Sequence, residues 1–442
     1  MRIELPQKVQ YIINAITKAG FEAYVVGGCV RDSILGREPG DWDITTSAKP
    51  EQVKALFRHT IDTGIQHGTV TVMLEKEGFE VTTYRIDGEY VDNRHPKEVT
   101  FTPNLIEDLK RRDFTINAMA YNEETGLIDA FDGMQDIGKK MIRCVGEPRE
   151  RFGEDALRMM RAVRFSAQLG YDIEKETKQA ICELSSNLST ISAERVQVEL
   201  VKLLTSPHPE QIRVAYETGI TKVVLPEFDR MMETDQKHLH HMYTVGEHTI
   251  HAVCGIAPRK ELRLAMLFHD IGKPETLKVD EEGITHFHNH AVVGEEMTKK
   301  VLRRLRFDND TIYMVSRLVR FHDYGNRVKP DARIVRRAIN RVGEDIFPMI
   351  FPVRQADILA QSEYKREEKL KLLEEWREIY EQIVAQGQCV SLKTLAVTGK
   401  DLIDAGMKPG KELGDTLSKL LDMVLDHPEY NTREILLEKI KE

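Results

Sequence analysis

The chain has 442 residues, of which 41% are hydrophobic and 31% are charged, with 63 basic and 72 acidic residues and a net charge of −9. This composition is typical of a globular protein and excludes collagen-like and largely disordered chains. At about 100–200 residues per domain, the length predicts two to four domains. The negative total does not favour nucleic-acid binding, although a basic surface can lie on an acidic protein.

Several sequence features bear on the compartment. No apolar run approaches the roughly 18 residues of a membrane-spanning helix, so we expect no membrane association. Residues 1–6 lack the basic and then apolar pattern of a signal peptide. The five cysteines are scattered and never form a Cys-x-x-Cys pair, which argues against a disulfide framework and a zinc ribbon. Together these features predict a cytoplasmic protein.

The first third of the chain predicts an α/β domain, because helical and strand patterns alternate there. Residues 8–19 carry apolar side chains at helical spacing. The apolar run Ala23–Val26 then predicts a buried strand that ends at Gly27-Gly28. Further strands are expected at residues 42–45, 69–74 and 80–85, and a polar loop at residues 87–96.

From about residue 148 onward the pattern changes. Long helical periodicities dominate and strand signals nearly vanish. We therefore expect an N-terminal α/β domain followed by a region that is mostly helix.

The segment Asp41-Trp42-Asp43 carries two candidate catalytic carboxylates. On a strand, Asp41 and Asp43 would face the same side, about 6.6–6.8 Å apart along the backbone. Two carboxylates aimed at one spot repel each other unless a cation is present. Two metal ions about 3.5–4 Å apart suit an in-line displacement at phosphorus. The pair indicates a divalent-metal site for phosphoryl transfer; taken alone, it is equally a surface turn.

Neighbouring residues strengthen this interpretation. The turn at Gly27-Gly28 would offer backbone N–H groups to phosphate oxygens, and Arg31 would add a charge-assisted contact. Glu80 is a candidate third carboxylate from a neighbouring strand. The alternative, an outward polar residue of an amphipathic strand, describes Glu80 equally well.

Further motifs follow in a fixed order along the chain. They are Leu35-Gly36-Arg37, His67-Gly68-Thr69, the segments 80–85 (EVTTYR), 111–118 (RRDFTINA), 154–161 (EDALRMMR) and 192–195 (SAER), and the C-terminal segments 398–402 (TGKDL) and 408–410 (KPG). With the glycine turn and the Asp pair, they resemble the class II tRNA nucleotidyltransferases. These are the CCA-adding enzymes of the nucleotidyltransferase and poly(A) polymerase superfamily. The resemblance covers nearly the whole chain.

The resemblance implies a fold and a division into domains. It implies an α/β nucleotidyltransferase head with a small mixed sheet and helices, followed by an all-α C-terminal region. We expect the head at residues 1–140, a neck for nucleobase recognition and RNA binding at 141–235, a helical domain at 236–360 and a tRNA-binding tail at 361–442. The implied partners are tRNA, CTP and ATP, and the implied cofactor is Mg²⁺ at the head.

The resemblance also implies roles for individual residues. The expected catalytic residues are Asp41, Asp43 and Glu80, with Asp41 and Asp43 as metal ligands. The expected nucleotide-binding residues are Gly28, Arg31, Arg112, Asp113, Asp155, Arg158, Arg161 and Arg164. Among these, Arg112 and Asp113 are expected at the ribose and nucleotide, and Arg161 and Arg164 at the triphosphate.

Residues 154–164 predict a helix, on which Asp155 and Arg158 would be neighbours on one face. The pairing edges of cytosine and adenine place an amino donor beside a ring-nitrogen acceptor, whereas those of uracil and guanine reverse the order. A carboxylate only accepts and a guanidinium only donates hydrogen bonds, so this pair would match C and A. The alternative is an exposed ion pair worth about 0–1 kcal/mol.

The sequence therefore predicts template-independent addition of the 3′-terminal CCA of tRNA from CTP and ATP. The segment 85–96 has the full length of the flexible loop that the family's CC-adding members lack. This length favours addition of all three nucleotides, C, C and A. A CC-adding or A-adding half enzyme and a poly(A) polymerase stay open as alternatives.

A second constellation lies in the helical region. Its members are His248, His269, Asp270, His290, His322 and Asp357. Imidazoles and carboxylates on several helices can converge on a divalent metal, and the ordered set resembles an HD-domain phosphohydrolase. We expect a divalent metal here; the alternative is a helical scaffold whose polar residues satisfy one another. A different overall function also follows from this set, namely a metal-dependent phosphohydrolase whose head only binds RNA.

Overall fold

The computed structural model describes residues 2–88, 99–237, 242–326 and 328–440. The predicted loop at residues 87–96 therefore lies outside the described residues from residue 89 onward. The chain divides into two compact units, residues 1–226 and 227–442, and each unit contains a hydrophobic core of its own. The four predicted domains stay predictions.

The first unit is built on a mixed seven-stranded sheet, accompanied by two short strand pairs. The strands are β1 (Ala23–Val26), β2 (Ile44–Thr46), β3 (Thr60–Gly64), β4 (Thr69–Leu74), β5 (Glu77–Thr83), β6 (Arg85–Asp87), β7 (Val99–Phe101), β8 (Met119–Asn122), β9 (Gly126–Asp129), β10 (Met141–Ile142) and β11 (Asp172–Ile173). The large sheet has the order β3-β4-β5-β2-β1-β8-β9. β2 and β5 are parallel, and the other neighbours in this sheet are antiparallel.

Helices cover the sheet and then continue the chain. They are α1 (Gln7–Lys18), α2 (Gly28–Ile34), α3 (Pro50–Leu56), α4 (Leu105–Lys110), α5 (Gly133–Lys139), α6 (Pro148–Glu154), α7 (Leu157–Leu169), α8 (Lys175–Leu184), α9 (Ala193–Leu204), α10 (Ile212–Glu217) and α11 (Ile220–Val224).

Strand β1 is buried on both faces, as its continuous apolar run predicts. Alternate side chains of a strand point to opposite sides. Ala23 and Val25 accordingly join a core that includes the apolar stripe of α1. Tyr24 and Val26 join a second core, on the other side, with residues of α4. The end of β1 is therefore fixed between two packed layers, which positions the Gly27-Gly28 turn that follows it.

The predicted strands at residues 23–26 and 69–74 are confirmed. The prediction for residues 42–45 is wrong at its start, because β2 begins at Ile44 and Asp41 and Asp43 precede it. The prediction for residues 80–85 joins two elements. β5 ends at Thr83, and the chain then passes through buried Tyr84 into β6, which pairs with β7 instead of the large sheet.

The second unit is mostly helical. Its elements are α12 (Pro226–Met232), α13 (Val245–Cys254), α14 (Lys260–Phe268), α15 (Lys273–Thr276), β12 (Leu277–Val279), β13 (Thr285–Phe287), α16 (His290–Arg304), α17 (Asn309–Phe321), α18 (Ala332–Val342), α19 (Phe347–Ala360), α20 (Arg366–Ala385), α21 (Gly399–Asp404), α22 (Lys411–Asp426) and α23 (Arg433–Glu438). The expected fold class is confirmed, although β12 and β13 form a short hairpin in a region predicted to be all-α. None of the helices described here has the length and apolar character to cross a membrane.

Candidate active site

The three candidate carboxylates of the first unit lie at one part of the sheet. Asp41 and Asp43 immediately precede β2, and the backbone N–H of Val26 donates to the carbonyl oxygen of Asp43 at 3.0 Å. In the parallel pairing of β2 and β5, Ile44 lies opposite Val81. Asp43 therefore stands beside Glu80, one residue earlier on each chain. All three carboxylates are exposed to solvent.

The electrostatics of this group favour a cation. Partial loss of hydration and then the negative charges of Asp41 and Glu80 raise the pKa of Asp43, against the opposing effect of Arg112. Burial is the larger cause of this rise, and repulsion from the two neighbouring carboxylates adds to it. A divalent ion would remove that repulsion, so the donor set fits a hard metal with oxygen ligands.

A cavity of about 200 Å³ opens beside the carboxylates. Asp43 and Glu80 line it together with the guanidinium groups of Arg85, Arg111 and Arg112. The cavity thus combines acceptors for a metal with donors for phosphate oxygens. Asp41 is not among its lining residues.

Sequence reasoning missed the residue that holds two of these arginines. Asp108, within α4, is fully buried. It accepts hydrogen bonds from Nε and Nη2 of Arg111 at 3.0 and 2.8 Å, and Nη2 of Arg112 lies 3.5 Å away. It also accepts from Oγ1 of Thr45 at 3.2 Å. Asp108 precedes the two arginines by three and four residues, a spacing at which helical side chains are neighbours. This spacing could have indicated the contact from the sequence.

The glycine turn lies where the sequence places it. Gly27 has a φ of +84°, which favours glycine, and precedes α2. Arg31, within α2, is buried and does not reach into solvent. Its Nη1 donates to Oδ1 of Asn117 at 2.6 Å, and its Nε and Nη2 donate to the two carboxylate oxygens of Asp32, each at 2.9 Å.

Asp113 and Arg161 contact each other. Nε of Arg161 donates to Oδ2 of Asp113 at 2.7 Å, and the backbone N–H of Phe114 donates to Oδ1 at 2.9 Å. Although burial opposes ionisation, the charge and hydrogen bond of Arg161 lower the pKa of Asp113 to about 2. Asp113 therefore carries a charge at neutral pH and fixes the direction of Arg161.

Arg164 is buried in a pair of its own. It contacts Glu199 on α9, and its guanidinium carbon lies 3.8 Å from the ring centre of Phe165. The guanidinium carbons of Arg31 and Arg161 lie 5.1 and 5.3 Å from the same ring centre. One aromatic ring thus gathers three arginines that the sequence assigned to nucleotide binding.

The predicted helix at residues 154–164 is broken at Asp155, and the alternative interpretation, an ion pair between Asp155 and Arg158, is not found among the described residues. α6 ends at Glu154, Asp155 has an extended backbone, and α7 begins at Leu157. The Asp155 carboxylate caps α7 through the N–H of Leu157 at 3.0 Å, and Nη2 of Arg195 donates to it at 2.7 Å.

Arg158 has other partners than Asp155. It pairs with Glu154, and its Nη1 and Nη2 donate to the backbone carbonyl oxygens of Arg151 at 3.1 Å and of Arg111 at 3.0 Å. The two side chains therefore have different partners, although the backbone N–H of Arg158 donates to the carbonyl oxygen of Asp155 at 3.0 Å. Arg195, which anchors Asp155, belongs to the 192–195 segment that the sequence singled out without assigning it a role.

The second unit brings together the six residues of the other constellation. His248 lies on α13, His269 and Asp270 follow α14, His290 begins α16, His322 follows α17 and Asp357 lies on α19. Two groups have ligand atoms mutually within 4.8 Å, one of His248, His269 and Asp270, and one of Asp270, His290 and His322. We call these six residues the histidine–aspartate cluster. Except for half-buried His290, all its members are buried.

Backbone contacts orient the four histidines. Nδ1 of each ring lies at a backbone carbonyl oxygen, at 3.3 Å for His248, 2.7 Å for His269, 2.9 Å for His290 and 2.8 Å for His322. A carbonyl oxygen only accepts, so Nδ1 of each ring donates and Nε2 is directed into the cluster. Burial lowers the pKa of His290 to about 4, so this ring is neutral at pH 7.

The Nε2 atoms converge on Asp270. The Nε2 atoms of His248 and His269 are 3.1 Å apart, and those of His290 and His322 are 3.3 Å apart. Oδ2 of Asp270 lies 3.1 Å from Nε2 of His269, and its Oδ1 lies 3.6 Å from Nε2 of His290. Nε2 of His248 also lies 3.0 Å from Oδ1 of Asp357. Imidazole nitrogens and carboxylate oxygens grouped in this way fit a divalent metal.

Comparison with known proteins agrees with the geometry of the first unit. Family models match at residues 23–143 (poly A polymerase head domain), 170–232 (probable RNA and SrmB-binding site of polymerase A) and 275–440 (tRNA nucleotidyltransferase domain 2, putative). The first two matches cover the sheet with its carboxylates and the helices that follow it. These matches define the chain as a nucleotidyltransferase.

Full-length relatives narrow the class. The chain is 37% identical over 422 residues to the CCA-adding enzyme of Lactobacillus helveticus, covering 95% of this chain and 92% of the relative. It is 36% identical over 431 residues to that of Levilactobacillus brevis, covering 95% and 94%. The solved structure of the Bacillus stearothermophilus CCA-adding enzyme in complex with CTP is 31% identical, has a TM-score of 0.75 and covers 98% of this chain and 97% of that one. The chain belongs to the family of CCA-adding enzymes, which confirms the resemblance.

Proposed function

We propose that this chain adds and repairs the 3′-terminal CCA of tRNA, using CTP and ATP and releasing pyrophosphate. The observation that carries the proposal is the cluster of Asp41, Asp43 and Glu80 beside a cavity lined by arginines, in a chain of this family. CCA-adding enzymes are metal-dependent nucleotidyltransferases. We propose Mg²⁺ as the ion, because it prefers carboxylate oxygens.

The residues have separate tasks in this proposal. Asp41 and Asp43 would hold the metal, which would supply Lewis-acid activation of the attacking hydroxyl and charge compensation for the leaving group. The 3′ hydroxyl oxygen of the tRNA bonds to the α-phosphorus, the bond to the pyrophosphate oxygen breaks, and the hydroxyl proton passes to water. Arg111 and Arg112 contact the phosphate oxygens, and Asp108 positions both guanidinium groups.

Nucleobase selection is assigned to Asp155 and Arg158. Their acceptor and donor groups match the pairing edges of C and A, and mismatched buried groups cost about 1–3 kcal/mol each against G and U. Glu154 and Arg195 hold the two side chains in place. Replacing Arg158 by alanine is expected to relax the choice of nucleotide, and unchanged selection of C and A over U would contradict this role.

A stepwise extension assay tests the main proposal. Purified protein and Mg²⁺ are incubated with tRNA that ends before the CCA, after CC, or after complete CCA, with CTP, ATP or both. Addition of C, C and A that then stops supports the proposal. Addition of C alone or A alone identifies a half enzyme, and open-ended A tails identify a poly(A) polymerase. No addition with any substrate overturns nucleotidyl transfer altogether.

A pair of glutamates on β5 supplies a matched control. Glu80 and Glu77 are both exposed on this strand, but Glu77 lies near Lys8 and away from the cavity. Glu80→Gln is expected to slow addition by at least tenfold, whereas Glu77→Gln leaves the rate unchanged. Equal rates for both variants would remove Glu80 from the catalytic group.

The histidine–aspartate cluster supports a second candidate function. We propose that it holds two divalent ions, with Asp270 supplying one oxygen to each ion. Four Nε2 atoms and two buried carboxylates form the donor set. Ions held by these residues would supply Lewis-acid activation of a phosphate ester and of a water molecule. The water oxygen would then bond to phosphorus as the ester P–O bond breaks, and the alcohol would leave with a proton.

Metal analysis tests this second candidate directly. Full-length protein carrying Asp41→Asn and Asp43→Asn, which removes the head's metal ligands, is saturated with Mn²⁺ and its metal content is measured after gel filtration. We expect two ions per chain. Asp270→Asn is expected to abolish binding of both ions, and His290→Gln to abolish one. An absence of bound metal would overturn the proposal.

A further inference from the structure

Four members of the histidine–aspartate cluster line a large cavity in the second unit. This cavity measures about 1140 Å³ and opens to solvent. The four members are Asp270, His290, His322 and Asp357. A single phosphate group would fill only a small part of this volume, since pockets of 300–1,000 Å³ hold whole drug-sized ligands.

The charges that line the cavity balance when no metal is bound. Among the described lining residues, the cationic ones are Lys273, Lys329, Lys365, Lys369 and Lys371. The anionic ones are Asp270, Asp323, Asp357, Glu368 and Glu375. Two divalent ions would therefore add four positive charges to a lining that is otherwise neutral. One phosphomonoester carries about two negative charges at neutral pH, so a single phosphate leaves two positive charges without a counterpart.

The lysines lie at two distinct places relative to the cluster. The ammonium of Lys273 is buried, 2.7 Å from Oδ2 of Asp270 and 2.7 Å from Oε1 of Gln236. This ammonium group therefore lies at the proposed metal position. A phosphate bound at the metals would lie within reach of this ammonium.

The second place is on α20. Nζ of Lys369 donates to Oε1 of Gln361 at 2.6 Å, and Nε2 of Gln361 donates to both oxygens of Asp357 at 3.1 Å. The side-chain amide of Gln361 thus lies between Lys369 and Asp357, a proposed metal ligand. Lys365 precedes Lys369 by one helical turn and lines the same cavity. This second cationic place is connected to the cluster but displaced from it.

We propose that the cavity binds a small organic ligand that carries two phosphate groups on separate positions, for which a nucleoside bisphosphate is a suitable probe. One phosphate lies over the metal pair and Lys273, and the other contacts Lys365 and Lys369. The inference rests on the proposed metal centre and adds the class of its ligand. Nothing in the comparisons assigns such a site.

Calorimetric titration with defined probes tests the inference. Full-length protein with Asp41→Asn and Asp43→Asn, loaded with Mn²⁺, is titrated with adenosine 3′,5′-bisphosphate, ADP and AMP. The head substitutions prevent metal-dependent nucleotide binding at the first unit. We expect the bisphosphate to bind at least tenfold more tightly than AMP, and more tightly than ADP, whose phosphates adjoin.

Lysine variants locate the second phosphate. The double variant Lys365→Gln and Lys369→Gln is expected to weaken bisphosphate binding at least tenfold while AMP affinity and Mn²⁺ content stay unchanged. Lys300→Gln, an exposed lysine on α16 outside the cavity lining, serves as the control and is expected to change nothing.

The outcomes separate the two proposals. Bound Mn²⁺ with equal affinities for the bisphosphate and AMP would overturn the two-phosphate ligand and leave the metal centre standing. Failure to bind Mn²⁺ would overturn the metal centre and this inference with it. Bisphosphate binding that survives the double lysine substitution would overturn the assignment of Lys365 and Lys369.

Discussion

At the scale of single residues, each candidate site contains polar groups whose close approach is unfavourable until a cation binds between them. Asp43 stands beside Glu80 with Asp41 nearby, and their charges contribute to the raised pKa of Asp43. In the second unit, paired Nε2 atoms face each other at 3.1 and 3.3 Å. Such arrangements are strained in isolation and favourable around a cation.

Removing one carboxylate from the head should therefore abolish activity without lowering the stability of the metal-free protein. We expect Asp43→Asn to abolish nucleotide addition while the melting temperature in EDTA stays equal to that of the parent or rises. Addition of Mg²⁺ should raise the melting temperature of the parent by more than that of the variant. Differential scanning calorimetry checks this, and a variant that is markedly less stable in EDTA would mean that Asp43 has a structural role.

Asp113 is expected to make stability depend on pH in the acid range. Its pKa is lowered to about 2 by Arg161, against about 3.9 in an unfolded chain. A depressed carboxyl pKa contributes stability above the unfolded value, here about 2 kcal/mol, and this contribution is lost as the pH falls through the folded pKa. Urea unfolding should give a constant stability gap between the parent and Asp113→Asn above pH 5, and a gap that narrows below pH 4. A gap independent of pH would show that the charge of Asp113 contributes nothing.

At the scale of elements, the turn between β1 and α2 joins the buried sheet to the candidate phosphate contacts. Gly27 combines a positive φ with close approach, since a Cβ there would lie 3.1 Å from Nη1 of Arg112. The break between α6 and α7 has a comparable effect on the other side, because it turns Asp155 toward Arg195. Local backbone geometry thus decides which side chains meet.

A glycine pair tests the role of the turn. Gly27→Ala and Gly20→Ala both place a Cβ at a positive φ, of +84° and +89°, but a Cβ at position 20 meets nothing within 4 Å. Both variants should lose about 1–2 kcal/mol of stability from backbone strain. Only Gly27→Ala should also lose at least tenfold in nucleotide addition, because Arg112 must move. Equal activity losses would indicate a general effect of instability.

At the scale of the whole molecule, the two candidate metal sites lie in separate compact units. Sites that share no partners act independently on stability. An ion at 100 times its dissociation constant stabilises its site by about 2.7 kcal/mol. Mn²⁺ should therefore raise the unfolding temperature of the parent and of the Asp41→Asn, Asp43→Asn variant. Mn²⁺ should not raise the unfolding temperature of the triple variant that carries Asp270→Asn in addition to Asp41→Asn and Asp43→Asn.

The check on independence is a double-mutant comparison by calorimetry. The loss of Mn²⁺ stabilisation caused by Asp43→Asn and that caused by Asp270→Asn should add when the two are combined. A combined loss that is smaller or larger than the two single losses together would show that the units respond to metal as one.

By itself, the amino-acid sequence determined the α/β head with its helical continuation, the strands at residues 23–26 and 69–74, the family and the two sets of candidate residues. Apolar periodicity reports burial on a face, and motif order is a property of the chain, so both can be recognised without coordinates. Which residues contact one another was decided only by the tertiary structure. The parallel register of β2 and β5 brings Glu80 to Asp43, and buried Asp108 gathers two arginines. The extended backbone at Asp155 gives its carboxylate Arg195 as a partner, whereas Arg158 pairs with Glu154. These contacts join residues whose spacing in sequence does not specify their distance in space, because a register or a helix break reorients every side chain that follows.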